Sequence, residues 1–195
     1  MSTPDSYFIF SDHLESSRKQ FNYYRQLGDK TIAQLSDAEL IKEPVEGVNS
    51  VAIIVKHIWG NMMSRWTDFL SSDGEKEWRA REAEFEDEGM NRALIEQRWN
   101  EGWETLFSAL DSINDSNYTE LAYIRNQGHT ITEAINRQLC HYAYHVGQIV
   151  FIGKMAKGEE WQSLSIPKGG SAGFNAAHFS KEKGRGHFTD ELMDK

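Results

Sequence analysis

His141 and His145 stand four residues apart in the stretch TITEAINRQLCHYAYHVGQIVFIGKMAK, residues 130–157. On a helix that spacing puts both rings on one face, one turn apart. Two neutral imidazoles so placed match the edge of a metal polyhedron and can hold one ion between them. The pair is not a zinc-peptidase helix: the position after His141 is Tyr142, where HExxH needs its glutamate base. Any base must therefore come from elsewhere in the chain, from the substrate, or from a metal-bound water whose pKa the ion lowers. An isolated HxxxH is more often two polar residues of an ordinary helix. His57, in KHIWGNMMSRW, shifts that weighing, because it borders an apolar stripe beside the small residues Gly60, Asn61 and Ser64. Three imidazoles from two helices would leave at least one position on an ion open, which is the mark of a catalytic or ligand-binding site rather than a closed structural one.

Other side chains carry weaker signals. Asn61 and Gln148 lie one turn or less from these histidines, where they can orient ligands or waters or simply bond within the core. Arg137, one turn before His141, is suited to a substrate carboxylate, though a solvated arginine near a helix start is the commoner case. Cys140 points away from its neighbour His141 on a helix and reads as core. His13, His129, His178 and His187 share no spacing and read as surface or loop residues.

The elements that must position the histidines follow from periodicity. Helical spacing of Phe10, Leu14, Phe21, Tyr24, Ile32 and Leu35 predicts a first helix over about 8–35, with Gly28 a weak point in it. Ser36 and Glu39 form a capping box for a short helix that Pro44 stops. Asn49-Ser50 then opens a second long helix over about 51–71, striped by Val51, Ile54, Val55, Ile58, Met62, Trp66 and Phe69. Residues 72–90 read as a charged connection anchored by Trp78 and Phe85. Asn91 caps a third helix with the stripe Ile95, Trp99, Trp103, Leu106, Leu110 and Ile113. Residues 118–124 alternate like a short extended crossover, with a turn at Asn126-Gln-Gly128. Thr130 and Glu133 form a second capping box, and Gly158 ends the fourth helix. Its apolar tracks, Ile131-Ile135-Leu139-Tyr142-Val146-Ile149 and Tyr144-Phe151-Met155, predict a helix buried nearly all round. The expected fold is all-α, a four-helix bundle over 1–158. Residues 159–195 form an irregular C-terminal extension packed on its surface. Within it Ile166–Phe174 is placed to lid the pocket or cover an apolar patch, and the last stretch from Lys181 is expected to be mobile.

Composition narrows the function classes. The 195 residues are 39% hydrophobic and 12% aromatic, with six Trp, enough for a full core in one domain. Acidic residues outnumber basic ones 30 to 21, and no compact Lys/Arg run appears, which argues against nucleic acid or an anionic membrane as partner. No apolar run reaches spanning length, and Met1-Ser-Thr-Pro-Asp is not a basic leader. One cysteine allows no internal disulfide, so a cytoplasmic location is expected.

The order of these features resembles the DinB-like superfamily: a long first helix, a turn ending in Asn49-Ser50, a histidine in KHIWGNMMSRW, and His141-Tyr-Ala-Tyr-His145-Val-Gly-Gln-Ile149 in the fourth helix. WRAREAEFE near 78–86 and WQSLSIPKGGSAGFN near 161–175 are similar to extra segments of a branch without assigned function. The resemblance implies a bundle in which His57, His141 and His145 bind one divalent ion, zinc or nickel, often in a homodimer. It further implies a small-molecule enzyme, a transferase using a low-molecular-weight thiol such as bacillithiol, mycothiol or glutathione. The physical logic is that an ion in a dry pocket binds a thiol as thiolate or polarises an electrophile. No thiol-binding motif of those relatives maps onto this chain. Two alternatives share the scaffold: a non-catalytic dimeric ligand-binding or stress-response module, favoured by the lack of any carboxylate base beside the histidines in sequence, and a metal-dependent hydrolase.

Overall fold

The computed structural model describes residues 6–193; Met1-Ser-Thr-Pro-Asp and residues 194–195 lie outside them. The chain is all-α apart from one two-stranded hairpin. Its helices are α1 (Ser6–Gln34), α2 (Asp37–Ile41), α3 (Val51–Trp66), α4 (Arg92–Asp111), α5 (Ile131–Lys157), α6 (Ser171–Phe179) and α7 (Asp190–Met193). The hairpin is β1 (Leu121–Ile124) and β2 (Gln127–Thr130). Among the described residues no helix is long and apolar enough to cross a membrane.

The start signals work as the side chains dictate. Both capping boxes form: the hydroxyls of Ser36 and Thr130 accept from the amides of Glu39 and Glu133, and each glutamate reaches back to its cap amide. Ser50 caps α3 by accepting from Ile53, and Asn91 caps α4 by accepting from Leu94. The periodic stripes of α3 and α4 are buried throughout. α3 packs mainly along α4 and α1 along α5, and the two pairs meet around Phe21, Trp103 and Tyr142, none of which is exposed.

Gly28 is a packing requirement rather than a weak point, since α1 runs through it unbroken. A Cβ built there would lie 2.2 Å from the Trp99 ring, whose indole nitrogen donates to Asp29 at 2.6 Å. Alanine would gain about 1 kcal/mol of helix propensity. The rigid, anchored indole would have to move, an overpacking cost of about 1–3 kcal/mol. Gly28→Ala is therefore expected to lower stability by about 1 kcal/mol in urea unfolding, whereas a solvent-facing helix glycine would gain from the same change.

Elsewhere the structure departs from the expected elements. α3 ends at Trp66, not near residue 71, as the chain turns through Asp68 at φ 49° and Phe69 folds back into the core. Trp78 does not anchor the following connection: it is 59% exposed. Gly74, Glu84 and Met90 are the buried residues there, Glu84 in a 3-10 turn over Glu82–Phe85. The extended crossover is a true antiparallel hairpin with Leu121 opposite Thr130. Its turn is Arg125-Asn126, both at positive φ as a tight two-residue turn demands. The carboxylate of Asp73 accepts both turn amides at 2.8 Å.

α5 is not buried all round. Tyr144, Phe151 and Met155 are more than half exposed, so only the track through Tyr142 and Ile149 faces the core. Cys140 is exposed rather than core. The C-terminal extension is not irregular throughout, because α6 forms within it. Its last part docks on α1: His187 meets Ser16 at 3.0 Å, Lys19 donates to Asp190 at 2.9 Å, and Thr189 is buried.

Candidate metal centre

α3 and α5 bring the three histidines together. The Nε2 atoms of His57 and His141 are 3.4 Å apart and those of His145 and His141 3.1 Å apart. One ligand atom from each ring lies within 4.8 Å of the others, and this is the one such cluster of His, Cys, Asp or Glu among the described residues. His57 is buried and the other two are half-buried. The helices are registered beneath the rings by Tyr142, whose hydroxyl donates to Asn61 Oδ1 at 3.0 Å and accepts from the Trp66 indole at 3.1 Å. Burial pushes the Tyr142 phenol well above its ordinary pKa, so it stays a donor. Asn61 is thus a core hydrogen-bond partner whose oxygen is spent on Tyr142, while it also borders the cleft beside His57 and His141.

Outer contacts fix which nitrogen faces inward. His57 Nδ1 lies 2.8 Å from Glu84 Oε2, and His145 Nδ1 lies 2.8 Å from Gln148 Oε1. A carboxylate or amide oxygen can only accept, so both Nδ1 atoms carry hydrogen, and in the neutral ring Nε2 is then a bare lone pair. Two lone pairs aim at the third ring, and His141 has at most one Nε2 hydrogen to share between them. Burial, with the neighbouring rings and then Arg79 and Arg65, pushes His141 down to about 3, and burial also lowers His145. His141 and His145 therefore resist protonation, and the three rings present nitrogen atoms to a shared point, the donor set that suits a borderline-soft divalent ion.

Glu84 joins the cluster through a contact with His57 that spacing in the sequence did not reveal. It accepts from Arg79 Nε at 2.7 Å and Nη2 at 3.0 Å while accepting from His57. Burial alone would raise its pKa, but the His57 and Arg79 hydrogen bonds outweigh that and hold it below the usual carboxylate range. Glu84 fills the space over Gly60, where a Cβ would come within 2.5 Å of Glu84 Oε1, while the cleft opens on the Asn61 side of His57. Phe85, on the same turn, stacks on His57 with ring centroids 4.8 Å apart. The carboxylate missing beside the histidines in sequence is thus present in space, delivered by the connection after α3. A glycine one turn after a histidine that borders the apolar stripe was the available signal, and it marked the docking of the Glu84 side chain.

The matching family is described as Protein of unknown function (DUF1572), and the match spans residues 9–170. The chain belongs to this family. The match takes in all three histidines, Glu84 and Gln148 and stops before α6, so the DUF1572 portion is the part that builds the cluster. Comparison with curated proteins finds no match, and comparison with solved structures finds none either.

The remaining expected residues fall away from the cluster or at its edge. Arg137 is exposed, 3.5 Å from His129, and borders the cleft that opens beside His57 and His141. Ile166 lines a separate cavity with Lys30, Gln34 and Lys157 rather than the cleft beside His57 and His141. His13 bonds Asn136 on α5, His187 bonds Ser16, and His178 sits on α6.

Proposed function

We propose that His57, His141 and His145 bind one divalent transition-metal ion, zinc or nickel, in a DinB-like four-helix bundle that acts as a cytoplasmic enzyme on small molecules. The observation that carries this reading is the convergence of three Nε2 atoms with the outer nitrogens of two rings already committed to Glu84 and Gln148. Such outer partners raise ligand basicity and hold ring orientation in metal sites. When bound, the ion supplies Lewis acidity toward an electrophile or a lowered pKa for a coordinated thiol or water. The chain's own residues do the rest. Glu84 and Gln148 hold the imidazoles in the donor tautomer, Tyr142 and Asn61 keep α3 and α5 in register, and Phe85 shields one face of His57 from water. The family likeness favours transfer from a low-molecular-weight thiol, and the exposed Tyr144, Phe151 and Met155 of α5 offer a face for a homodimer. Hydrolysis by a metal-bound hydroxide shares every ligand, and a ligand-holding module without turnover shares the scaffold.

Protein purified without a histidine tag is expected to carry about one zinc or nickel ion per chain by elemental analysis. It is also expected to conjugate a small electrophile with bacillithiol, mycothiol or glutathione only when that ion is present. Metal-dependent turnover in thiol-free buffer would replace transfer by hydrolysis. Bound metal with no turnover in either buffer would leave the non-catalytic module, and a chain that takes up no metal would end the reading.

A further inference from the structure

A cleft of about 250 Å³ opens beside His57 and His141, and five arginines line it in a protein whose net charge is -9. They come from four separate places: Arg65 on α3, Arg79 and Arg81 on the connection after it, Arg125 in the hairpin turn and Arg137 on α5. Among the described residues only two carboxylates pair with them. Glu75 is shared among Arg65 at 3.1 Å, Arg125 at 3.1 Å and Arg79 at 3.9 Å, and Glu84 takes the remaining face of Arg79. Asp73 is occupied by the amides of Arg125 and Asn126. Among the described residues Arg81 and Arg137 have no carboxylate partner, and both are exposed. Like charges gathered this closely repel unless an anion joins them.

Arg65 and Gln138 line this cleft and also the small void against β1, and each carries a buried atom without a partner, Nε in one and Oε1 in the other. The arginines ask for several anionic oxygens, in a volume below drug size.

We propose that this cleft binds a small dianion, a dicarboxylate or a phosphate monoester, with Arg81, Arg125 and Arg137 on its oxygens. The guanidinium fork suits both chemistries, since each offers paired oxygens in a plane. Calling that molecule the substrate rests on the metal reading above; its binding does not. The position beside His57 and His141 would then hold the reacting group of an anionic substrate at the imidazole cluster, with its charged end in the arginines.

Calorimetric titration of the full chain, both metal-loaded and chelator-treated, with succinate, inorganic phosphate and neutral succinamide tests this. Binding of succinate or phosphate is expected in both forms, weakening at least tenfold in an Arg81→Gln/Arg137→Gln double variant and falling as salt is raised. Whichever anion binds more tightly assigns the carboxylate or the phosphate chemistry. Both substituted residues are exposed, so the variant should melt with the wild type and keep its metal content. Equal binding of succinamide, equal binding by the double variant, or binding that needs the metal and ignores the arginines overturns the proposal. Anion binding by a chain that takes up no metal would keep this site while ending the metal reading, and metal uptake without anion binding would do the reverse.

Discussion

A His141→Ala chain is expected to lose its ion. His141 Nε2 sits between the other two donors, 3.1 Å from one and 3.4 Å from the other, so its removal leaves two nitrogens with no ring between them. Metal content should fall from about one per chain to a small fraction of that, because a transition-metal site's affinity depends on every one of its few ligands. The stability readout separates ligation from packing. His141 is only half-buried, and in the metal-free protein its ring faces two lone pairs that cannot both be satisfied. With chelator present, the variant and wild type should therefore melt close together. With zinc at about 100 times its dissociation constant, binding should add about 2.7 kcal/mol to the wild type alone, roughly 5–10 °C in melting temperature for a chain of this size. A His129→Ala chain, altered at a half-buried hairpin residue outside the cluster, should keep its metal content as wild type does. A His141→Ala chain that keeps its metal would remove the basis of the proposed function.

Glu84→Gln is expected to damage both the fold and the cluster, through different partners. Arg79 has its side chain almost wholly buried and relies on Glu84 for two hydrogen bonds. Breaking a buried ion pair from one side costs about 3–5 kcal/mol, and the glutamine oxygen can recover part of that, so a loss of about 2–4 kcal/mol in urea unfolding is expected. The effect on metal follows from protons. A glutamine can turn its NH2 toward His57 Nδ1, which then becomes the acceptor and moves the ring hydrogen to Nε2, where it faces the ion. Loss of such an outer partner lowers metal affinity about 10–100-fold, readable by competition with a chromophoric chelator. Unchanged metal affinity alongside the stability loss would reduce Glu84 to a purely structural role.

The parts of the fold that depend on local chemistry were legible in the sequence. Both capping boxes, the Ser50 and Asn91 caps and the buried stripes of α3 and α4 are decided by side chains within a few residues of one another. What escaped depends on distant partners. Gly28 looks like a flaw until Trp99 is placed against it, and Tyr144, Phe151 and Met155 look like core until α1 is found to occupy the other side of α5. Glu84 is one of several glutamates in a charged connection, and nothing local distinguishes it from Glu82 or Glu86. Its burial comes from the cavity above Gly60 and the guanidinium of Arg79. The pairing of His141 with His145 is a property of one helix and could be read directly; the arrival of His57 required a second helix in a particular register, which Tyr142, Asn61 and Trp66 enforce.

The connection after α3 and the β1–β2 hairpin are tied to each other rather than hanging separately. Gly74 donates its amide to Tyr123, Asp73 clamps the Arg125-Asn126 turn, and Glu75 bridges to Arg125. Together they form one linked layer over the helical frame: the frame carries the three imidazoles, and the layer carries Glu84 against His57 as well as three of the five guanidiniums. Lengthening the connection would therefore move the arginines and, through Glu84, disturb the ring of His57 too. Whatever enters the cleft and whatever the imidazoles hold are thereby bound to change together.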